Sequence, residues 1–380
     1  MPNRRLFLAG AAGAIASACS TDRGLQHAGF VRAAPLAPLK LSSDRVVRIT
    51  VCTRPFRPAG PRLEAESVDG KLIVHNYGHG GSGWSLSWGC AAQAAAFALS
   101  GEPRDIAVIG AGVSGLTTAL RLVETGARVT IYAKEFPMET RSSRATGVWS
   151  PSSRIGLADA VDSGFLDRWE RWARISLATH QRFVGSIGEP VEFVQQYALF
   201  DEPGQLRVPA SHDFLELERR IQDVMPTGST LPSEAIPFSV ARADSRLNLT
   251  FNIASYAQRL THDFLAYGGR MLRHDLPDRS AALALPESVV VNCTGYGAKT
   301  LWEDGDLVPV RGQINWLAAQ PEARYGVFYN NVLALSRRDG VVVQYTGPND
   351  DWGYGNDSEV PDKEEMTNAL ARLSPLFAAE

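Results

Sequence analysis

The 380-residue chain is predicted to adopt an α/β fold, and three features of the sequence support this prediction. A run of β-branched residues ends in a Gly-x-Gly-x-x-Gly pattern, an apolar helical pattern follows it, and a second apolar strand comes next. This order is typical of the βαβ unit that binds dinucleotides. The sequence therefore predicts a Rossmann-type domain, and a chain of this length can bury a second domain beside it.

The glycine pattern is the fingerprint of this unit. It reads Ile106-Ala107-Val108-Ile109-Gly110-Ala111-Gly112-Val113-Ser114-Gly115-Leu116. In such a unit Gly110 permits the tight turn, Gly112 lets the backbone approach a pyrophosphate, and Gly115 lets the helix pack closely on the strand. The start of the helix then faces the phosphates.

The second strand of the unit is predicted over residues 128–132, and it departs from the common pattern at its end. In that pattern an acidic residue near the end of the strand binds a ribose hydroxyl. Here Ala133 and Lys134 precede Glu135, so the acidic residue is displaced along the chain. The fingerprint alone therefore leaves the choice of dinucleotide open.

A second glycine-rich stretch lies before the fingerprint, between an apolar strand at 72–74 and a helix predicted from Trp84 to about Gly101. It reads His75-Asn76-Tyr77-Gly78-His79-Gly80-Gly81-Ser82-Gly83-Trp84. Glycines at this density let the backbone approach a ligand at a helix start. We interpret both histidines as structural or backbone-positioning residues, because they lie in a loop without helical metal-ligand spacing, and we predict no metal site.

Hydrophobic periodicity and turn residues predict the remaining elements. Strands are expected at 47–51, 288–292 and 340–346, and helices at 165–184, 214–224, 255–267 and 363–373. The two prolines of Arg54-Pro55-Phe56-Arg57-Pro58 are expected to interrupt strand pairing.

The N-terminus has the pattern of a signal peptide over residues 1–18, with Arg4-Arg5, an apolar run and Ala16-Ser17-Ala18 before Cys19. The paired arginines indicate twin-arginine export to the periplasm. Lipidation of Cys19, which would anchor the protein to a membrane, and simple cleavage at the same bond both stay open, and a basic tail is the alternative. Residues 19–44 are predicted to be a linker because they are rich in Ala, Pro and Ser.

Composition argues against several other classes of protein. The net charge is −3 and no long run of Lys or Arg occurs, so nucleic-acid binding is not expected. The sequence has no uninterrupted apolar run of about 18 residues or more, so a membrane-spanning helix is not expected. Three cysteines remain besides Cys19, and an odd number leaves no complete disulfide framework.

The two glycine-rich stretches resemble those of the D-amino-acid oxidase family of FAD enzymes, and Asn292-Cys293-Thr294-Gly295 and Arg311-Gly312-Gln313-Ile314 match two further hallmarks. In that family the fingerprint lies at the beginning of the chain and the histidine- and glycine-rich signature near its end, which is the reverse of the order here. The resemblance therefore implies a circular permutation, in which residues 100–105 join the usual termini. It predicts that Arg45 and the end of the last helix are neighbours.

The resemblance also implies the glutathione-reductase-like FAD fold, in which a Rossmann-type FAD-binding domain is interleaved with an α+β substrate domain. One oxidase unit would span residues 45–380. The FAD-binding parts are expected at about 70–190 and 280–305, the substrate-domain parts at about 45–69, 191–279 and 306–360, and a C-terminal helix within 361–380.

Residues that contact FAD are implied by the same resemblance. They are Gly110, Ala111, Gly112, Val113, Ser114 and Gly115 of the fingerprint, Ser142, Ser143, Arg144, Ala145 and Gly147 of the loop Arg141-Ser142-Ser143-Arg144-Ala145-Thr146-Gly147-Val148-Trp149, and Gly80, Gly83, Trp84 and Ser85 at the second helix start. A helix N-terminus suits the negative charge that develops on a reduced flavin.

Three catalytic residues are implied as well. Arg54 occupies the first arginine of the family's Arg-Pro-x-Arg-Pro segment and would bind the substrate carboxylate, to which a planar guanidinium is well suited. Gly81 would meet the substrate amine through its carbonyl, and Tyr329 would belong to the active-site wall. A surface arginine beside a proline turn is the alternative for Arg54. The implied reaction converts a D-amino acid to a 2-oxo acid, ammonia and hydrogen peroxide, with molecular oxygen as the electron acceptor.

The substrate wall departs from the family pattern. Leu333 stands where a second tyrosine belongs, Ser150 replaces a glutamine, and Gln344-Tyr345 replaces a glycine pair. Tyr345 either fills the gap or belongs to the core. The alternatives are therefore an oxidase or dehydrogenase of another amine or modified amino acid, or a flavin-binding protein without turnover.

Overall fold

The computed structural model describes residues 36–202 and 208–377, which form two β-sheets with helices packed on them. The helices are α1 Gly83–Ala98, α2 Val113–Val123, α3 Phe165–Gln181, α4 Ile253–Ala266, α5 Arg279–Leu283, α6 Ala298–Leu301 and α7 Lys363–Leu373. The strands are β1 Val46–Phe56, β2 Ala65–Val68, β3 Lys71–His75, β4 Asp105–Ile109, β5 Arg128–Ala133, β6 Val191–Phe200, β7 Ser229–Thr230, β8 Arg242–Phe251, β9 Arg270–Arg273, β10 Val289–Asn292, β11 Val308–Leu317, β12 Tyr325–Tyr329, β13 Val332–Arg337 and β14 Gly340–Tyr345. In these two ranges no helix has the length and apolar character needed to span a membrane.

The first sheet has six strands in the order β2-β3-β10-β4-β5-β9, and all its neighbouring pairs except β2–β3 are parallel. Strands β4 and β10 are apolar on both faces because helices and loops cover both faces of a parallel sheet. Helix α2 connects β4 to β5 as the fingerprint predicts. The predicted α/β fold is confirmed.

The second sheet has eight strands in the order β1-β11-β14-β13-β12-β6-β8-β7, and β12–β6 is its one parallel pair in the described ranges. Strand β1 forms one edge and pairs along its whole length with β11. Helix α7 packs on β14 and β13.

The expected interruption at the two prolines is wrong. Strand β1 runs through Arg54 and Pro55 to Phe56, with Pro55 opposite Pro309. The missing N–H of Pro55 is tolerated because β1 is an edge strand. The continuous strand therefore carries Arg54 at a fixed register.

Two other expectations need correction. The helix expected at 214–224 is a 3-10 segment, Glu218–Val224, with Ile221 outside helical geometry. Part of the expected substrate-domain range 191–279 belongs to the six-stranded sheet, since β9 pairs with β5 and α4 packs on α2. Local periodicity predicted the helix at 255–267, but it predicted neither strand β9 nor the layer that either element joins.

The folded body begins before Arg45. Leu39 and Leu41 are buried, and the Lys40 backbone exchanges two hydrogen bonds with the Gln320 side chain, at 2.8 and 3.0 Å. The end of the expected linker therefore packs on the body. The predicted signal peptide of residues 1–18 and the predicted processing site at Cys19 lie outside the described residues.

The segment 46–98 completes both sheets, because β1 is the edge of one and β3 lies beside β10 in the other. The Arg45 carbonyl accepts a hydrogen bond from Ala318 at the end of β11, next to the start of β14. Arg372, near the end of α7, lies over the Tyr345 ring at the other end of β14. The length of β14 thus separates Arg45 from the end of this helix, so the expectation that the two are neighbours is wrong.

Candidate functional site

A cavity of ≈ 650 Å³ lies along the carboxyl ends of the parallel strands and reaches strand β1. Such ends are where α/β folds bind their ligands. Its wall includes most of the predicted FAD contacts: Gly80, Gly83, Trp84, Gly110, Ala111, Gly112, Val113, Ser114, Ser142, Arg144 and Ala145. Arg54 and Gly81 line it as well. Gly115, Ser143, Gly147, Ser85 and Tyr329 are not among the lining residues.

The fingerprint folds as the dinucleotide pattern requires. Gly110 has φ +102°, and its N–H donates to the Tyr132 carbonyl at 2.8 Å, which ties the turn to β5. A Cβ at Gly115 would overlap the Gly110 carbonyl oxygen. Gly115 therefore acts through close helix packing, although it is not on the cavity wall. Val113 and Ser114 at the start of α2 line the cavity, where a helix N-terminus suits a pyrophosphate.

The loop around Ser142 joins both helix starts. Ser142 Oγ accepts a hydrogen bond from the Val113 N–H at 3.0 Å, and its carbonyl accepts one from the Trp84 indole at 2.9 Å. Ser143 instead turns inward and donates to the Thr140 carbonyl. This loop is consequently held against α1 and α2 at the same time.

Glu359 connects the same loop to strand β1, and no motif in the sequence indicates this role. Its carboxylate accepts hydrogen bonds from Arg141 at 2.6 Å, Arg144 at 3.1 Å and Thr53 at 3.0 Å. These partners hold the pKa of Glu359 below its usual range against the opposing effect of burial. Because the carboxylate stays charged, it offsets part of the positive charge of Arg141 and Arg144 on the cavity wall.

A buried polar chain supports the start of α1. Tyr256 accepts from the Trp88 indole at 2.8 Å and contacts His180 Nδ1 at 2.8 Å, while His180 Nε2 lies 3.0 Å from the Trp84 carbonyl. Burial lowers the pKa of His180 to about 3, so this imidazole is neutral. A lone histidine in a helical pattern does not reveal such a role. Ser85, next to Trp84, accepts from the Ser150 N–H at 2.9 Å.

The two histidines of the glycine-rich loop differ in their surroundings. His75 is buried 2.9 Å from Glu66. His79 lines the cavity, and its buried Nε2 has no hydrogen-bond partner within the described ranges. Burial lowers the pKa of each to about 4, so both are neutral near pH 7. No cluster that could hold a metal ion occurs among residues 36–202 and 208–377.

Arg54 lies at the β1 side of the cavity. Its guanidinium lies against Gly312, where a Cβ would overlap it, and its Nη1 is 3.5 Å from the Arg311 carbonyl. Burial lowers its pKa, the cost expected of a cation taken from water. Over the described residues it forms no ion pair, whereas Arg144 is paired with Glu359. Arg54 is therefore the cavity cation available to bind an anion.

Tyr329 is not brought to this wall. Its hydroxyl lies 2.9 and 3.1 Å from the two carboxylate oxygens of Asp201. Strand β12, which carries it, is separated from β1 by β13, β14 and β11. The match of Tyr329 to a family motif did not show how far apart β12 and β1 lie in the sheet.

The strand register shows on which face of the eight-stranded sheet each of the replaced residues lies. Leu333 is opposite Gln344, and this pair lies on the same sheet face as Gly312 and Arg54. Tyr345 points the other way, with Arg372 over its ring and Trp352 at 5.1 Å. Tyr345 is therefore packed near α7 and does not fill the gap on the wall, and Gln344 lies on the opposite face of the sheet from it.

A mostly parallel sheet with a glycine turn at a helix start, open to a cavity at the carboxyl ends of its strands, defines a dinucleotide-binding protein. The chain belongs to the FAD dependent oxidoreductase family, whose model matches residues 105–380. FAD is accordingly its cofactor, and the start of α2 and Ser142 offer the hydrogen-bonding groups that would hold the pyrophosphate.

Relatives and solved structures agree with this assignment. The D-amino-acid oxidase of Streptomyces coelicolor is 30% identical over 269 residues, which are 67% of this chain and 74% of the relative. That of Dictyostelium discoideum is 24% identical, covering 72% of this chain and 74% of the relative. Glycine oxidase from Geobacillus kaustophilus has a similar fold, with a TM-score of 0.52 and 16% identity over 72% of this chain and 78% of that structure.

Proposed function

We propose that the protein is a D-amino-acid oxidase, which converts a D-amino acid to a 2-oxo acid, ammonia and hydrogen peroxide. The observation that carries this proposal is Arg54, a partly buried guanidinium without an acidic partner in the described ranges, on the wall of an FAD cavity. A planar guanidinium binds a carboxylate through two parallel hydrogen bonds. The substrate is therefore expected to carry a carboxylate beside the reacting carbon.

Two groups of this chain would orient the substrate. Arg54 binds the carboxylate, and the Gly81 carbonyl accepts a hydrogen bond from the amine. FAD supplies the redox chemistry by accepting a hydride from Cα, and molecular oxygen is the expected final acceptor. When the carboxylate and the amine are held and the Cα hydrogen must point at the ring, one direction is left for the side chain, and the room in that direction distinguishes D from L isomers.

The test is an anaerobic titration of the FAD-loaded protein with matched D- and L-amino acids while the visible spectrum is recorded. Oxidised flavin is yellow, and two-electron reduction bleaches it. Bleaching by D isomers with L isomers inactive is the expected result. Equal bleaching by both isomers, or by neither, would contradict the proposal.

A second candidate is oxidation of another amine or a modified amino acid, and the wall residues favour it. Leu333 and Gln344, which lie on the same face of the eight-stranded sheet as Arg54, differ from the family pattern, as does Ser150. Peroxide release measured with a panel of N-substituted amino acids and simple amines separates the candidates. A flavin spectrum that no amine bleaches would instead indicate a binding role.

We also propose that the chain is a circular permutant of its family. Segment 46–98 completes both sheets, and the family resemblance assigns this segment to the end of ordinary members. A gene in which residues 37–101 follow residue 377 through a short linker should yield a folded, yellow protein. Loss of folding with several linker lengths would contradict the proposal.

Export by the twin-arginine route is a further part of the proposal, supported by Arg4-Arg5 and the apolar run after them. Replacing both arginines by lysine should leave the protein in the cytoplasm. Unchanged export of that variant would contradict the twin-arginine route. Labelling with a radioactive fatty acid, compared with Cys19→Ala, distinguishes a lipid anchor from simple cleavage.

A further inference from the structure

At the rim of the cavity beside β5, a basic residue stands where an acidic one is usual. Lys134 directly follows β5, where dinucleotide-binding folds place an acidic residue that binds a ribose. An ammonium group donates hydrogen bonds but accepts none, whereas a carboxylate accepts from both hydroxyls of a ribose diol. The acceptor for the ribose therefore has to come from another residue.

The neighbouring strand supplies a carboxylate at the same place. Strand β9 runs parallel to β5 with Arg273 opposite Ala133, and the His274 N–H donates to the Ala133 carbonyl at 2.9 Å. Asp275 follows, and its Oδ2 lies 3.2 Å from Lys134 Nζ. Both side chains line the cavity.

This rim is joined to the fingerprint turn. The Gly110 N–H donates to the Tyr132 carbonyl, two residues before Lys134. A ribose attached to a pyrophosphate at the start of α2 consequently lies near the carboxyl ends of β5 and β9. The Lys134 and Asp275 side chains are 70% and 63% exposed, so a ligand in the cavity can reach both.

We propose that Asp275 binds the adenosine ribose of FAD and that Lys134 holds the Asp275 carboxylate in place. The acidic group of the second strand is thereby supplied by the adjacent strand, through an ion pair across the two strand ends. This inference rests on FAD as cofactor and is independent of the substrate, since its test measures flavin affinity and not turnover.

The experiment compares FAD and FMN binding to the flavin-free full chain and its Asp275→Asn variant by quenching of flavin fluorescence. Loss of a charge-assisted hydrogen bond should weaken FAD binding about tenfold. FMN lacks the adenosine half, so its affinity should stay the same. Lys134→Met should weaken FAD binding by a smaller factor, because it frees the carboxylate without removing it.

Glu135→Gln is the matched control, since Glu135 lines the same rim and is the displaced acid of the sequence pattern. It should leave FAD affinity unchanged. The proposal is overturned if Asp275→Asn binds FAD within twofold of the wild type, if it weakens FMN equally, or if Glu135→Gln is the variant that loses affinity. Thermal unfolding of the flavin-free variants checks that all of them fold.

Discussion

The two ends of the cavity are built from different parts of the chain. At the nucleotide end the wall is formed by the glycine turn and the start of α2, with Ser142, Lys134 and Asp275 beside them. At the substrate end Arg54 is carried by edge strand β1 of the eight-stranded sheet, on the face that also carries Leu333 and Gln344, and Gly81 belongs to the glycine-rich loop before α1. Cofactor binding is thus encoded in a short local motif, and substrate choice in the register of distant strands. The two properties should be separable by mutation.

Arg54→Leu is expected to have the largest effect, with turnover lost while flavin binding is kept. Removing this guanidinium, which has no acidic partner among residues 36–202 and 208–377, costs a buried charged interaction with the substrate of about 3 kcal/mol, roughly a hundredfold in kcat/KM for a carboxylated substrate. The flavin should remain bound, as the visible spectrum of the purified variant will report. Arg48→Leu is the matched control, because Arg48 lies on the same strand over Trp316. Equal loss in both variants would contradict the assigned role.

Gly115→Ala is expected to act on the nucleotide end and to reduce flavin binding. A methyl group overlapping the Gly110 carbonyl should displace α2 from the sheet, at a cost of about 1–3 kcal/mol. The ratio of flavin to protein after purification should fall roughly tenfold. Gly101→Ala places its methyl group in open space and serves as the control. Full flavin content in Gly115→Ala would show that close packing here is unimportant.

A smaller effect concerns the buried support of α1. The pKa of His180 is about 3 when folded and about 6.5 when unfolded, so the unfolded chain binds its proton first. The stability that neutral His180 contributes is complete above pH 6.5 and is lost as the pH falls towards 3, by about 1 kcal/mol per pH unit. His180→Gln should flatten the fall in Tm between pH 6.5 and 4.5, whereas replacing the exposed His274 should not. An unchanged slope in His180→Gln would contradict the neutral buried state.

The smallest effect is expected from Glu359, which connects the loop at the nucleotide end to strand β1 at the substrate end. Glu359→Gln weakens the ion pairs to Arg141 and Arg144, and a partly exposed group of this kind contributes up to about 1 kcal/mol. Flavin should leave the variant a few times faster at low ionic strength, and the difference should shrink in high salt. Glu322→Gln, which removes an exposed pair with Lys40, is the control. A release rate equal to that of the wild type would remove Glu359 from the account.

The nucleotide end was largely predictable from the sequence because few residues other than glycine fit its turn. Gly110 and Gly115 adopt the roles that the pattern indicates, and Arg128 begins the second strand where expected. The substrate end was less predictable. Which face of the sheet Gln344 and Tyr345 occupy depends on the pairing register of β14, and a shift of one residue would exchange their faces. The Glu359 contact joins residues more than 200 positions apart, which no local pattern reveals.

One measurement tests both ends together, namely a crystal structure of the protein with FAD and a D-amino acid bound under anaerobic conditions. The account predicts the FAD pyrophosphate at the start of α2, the substrate carboxylate on the Arg54 guanidinium and the amine at the Gly81 carbonyl. A carboxylate bound elsewhere while Arg54 contacts protein groups alone would contradict the central claim.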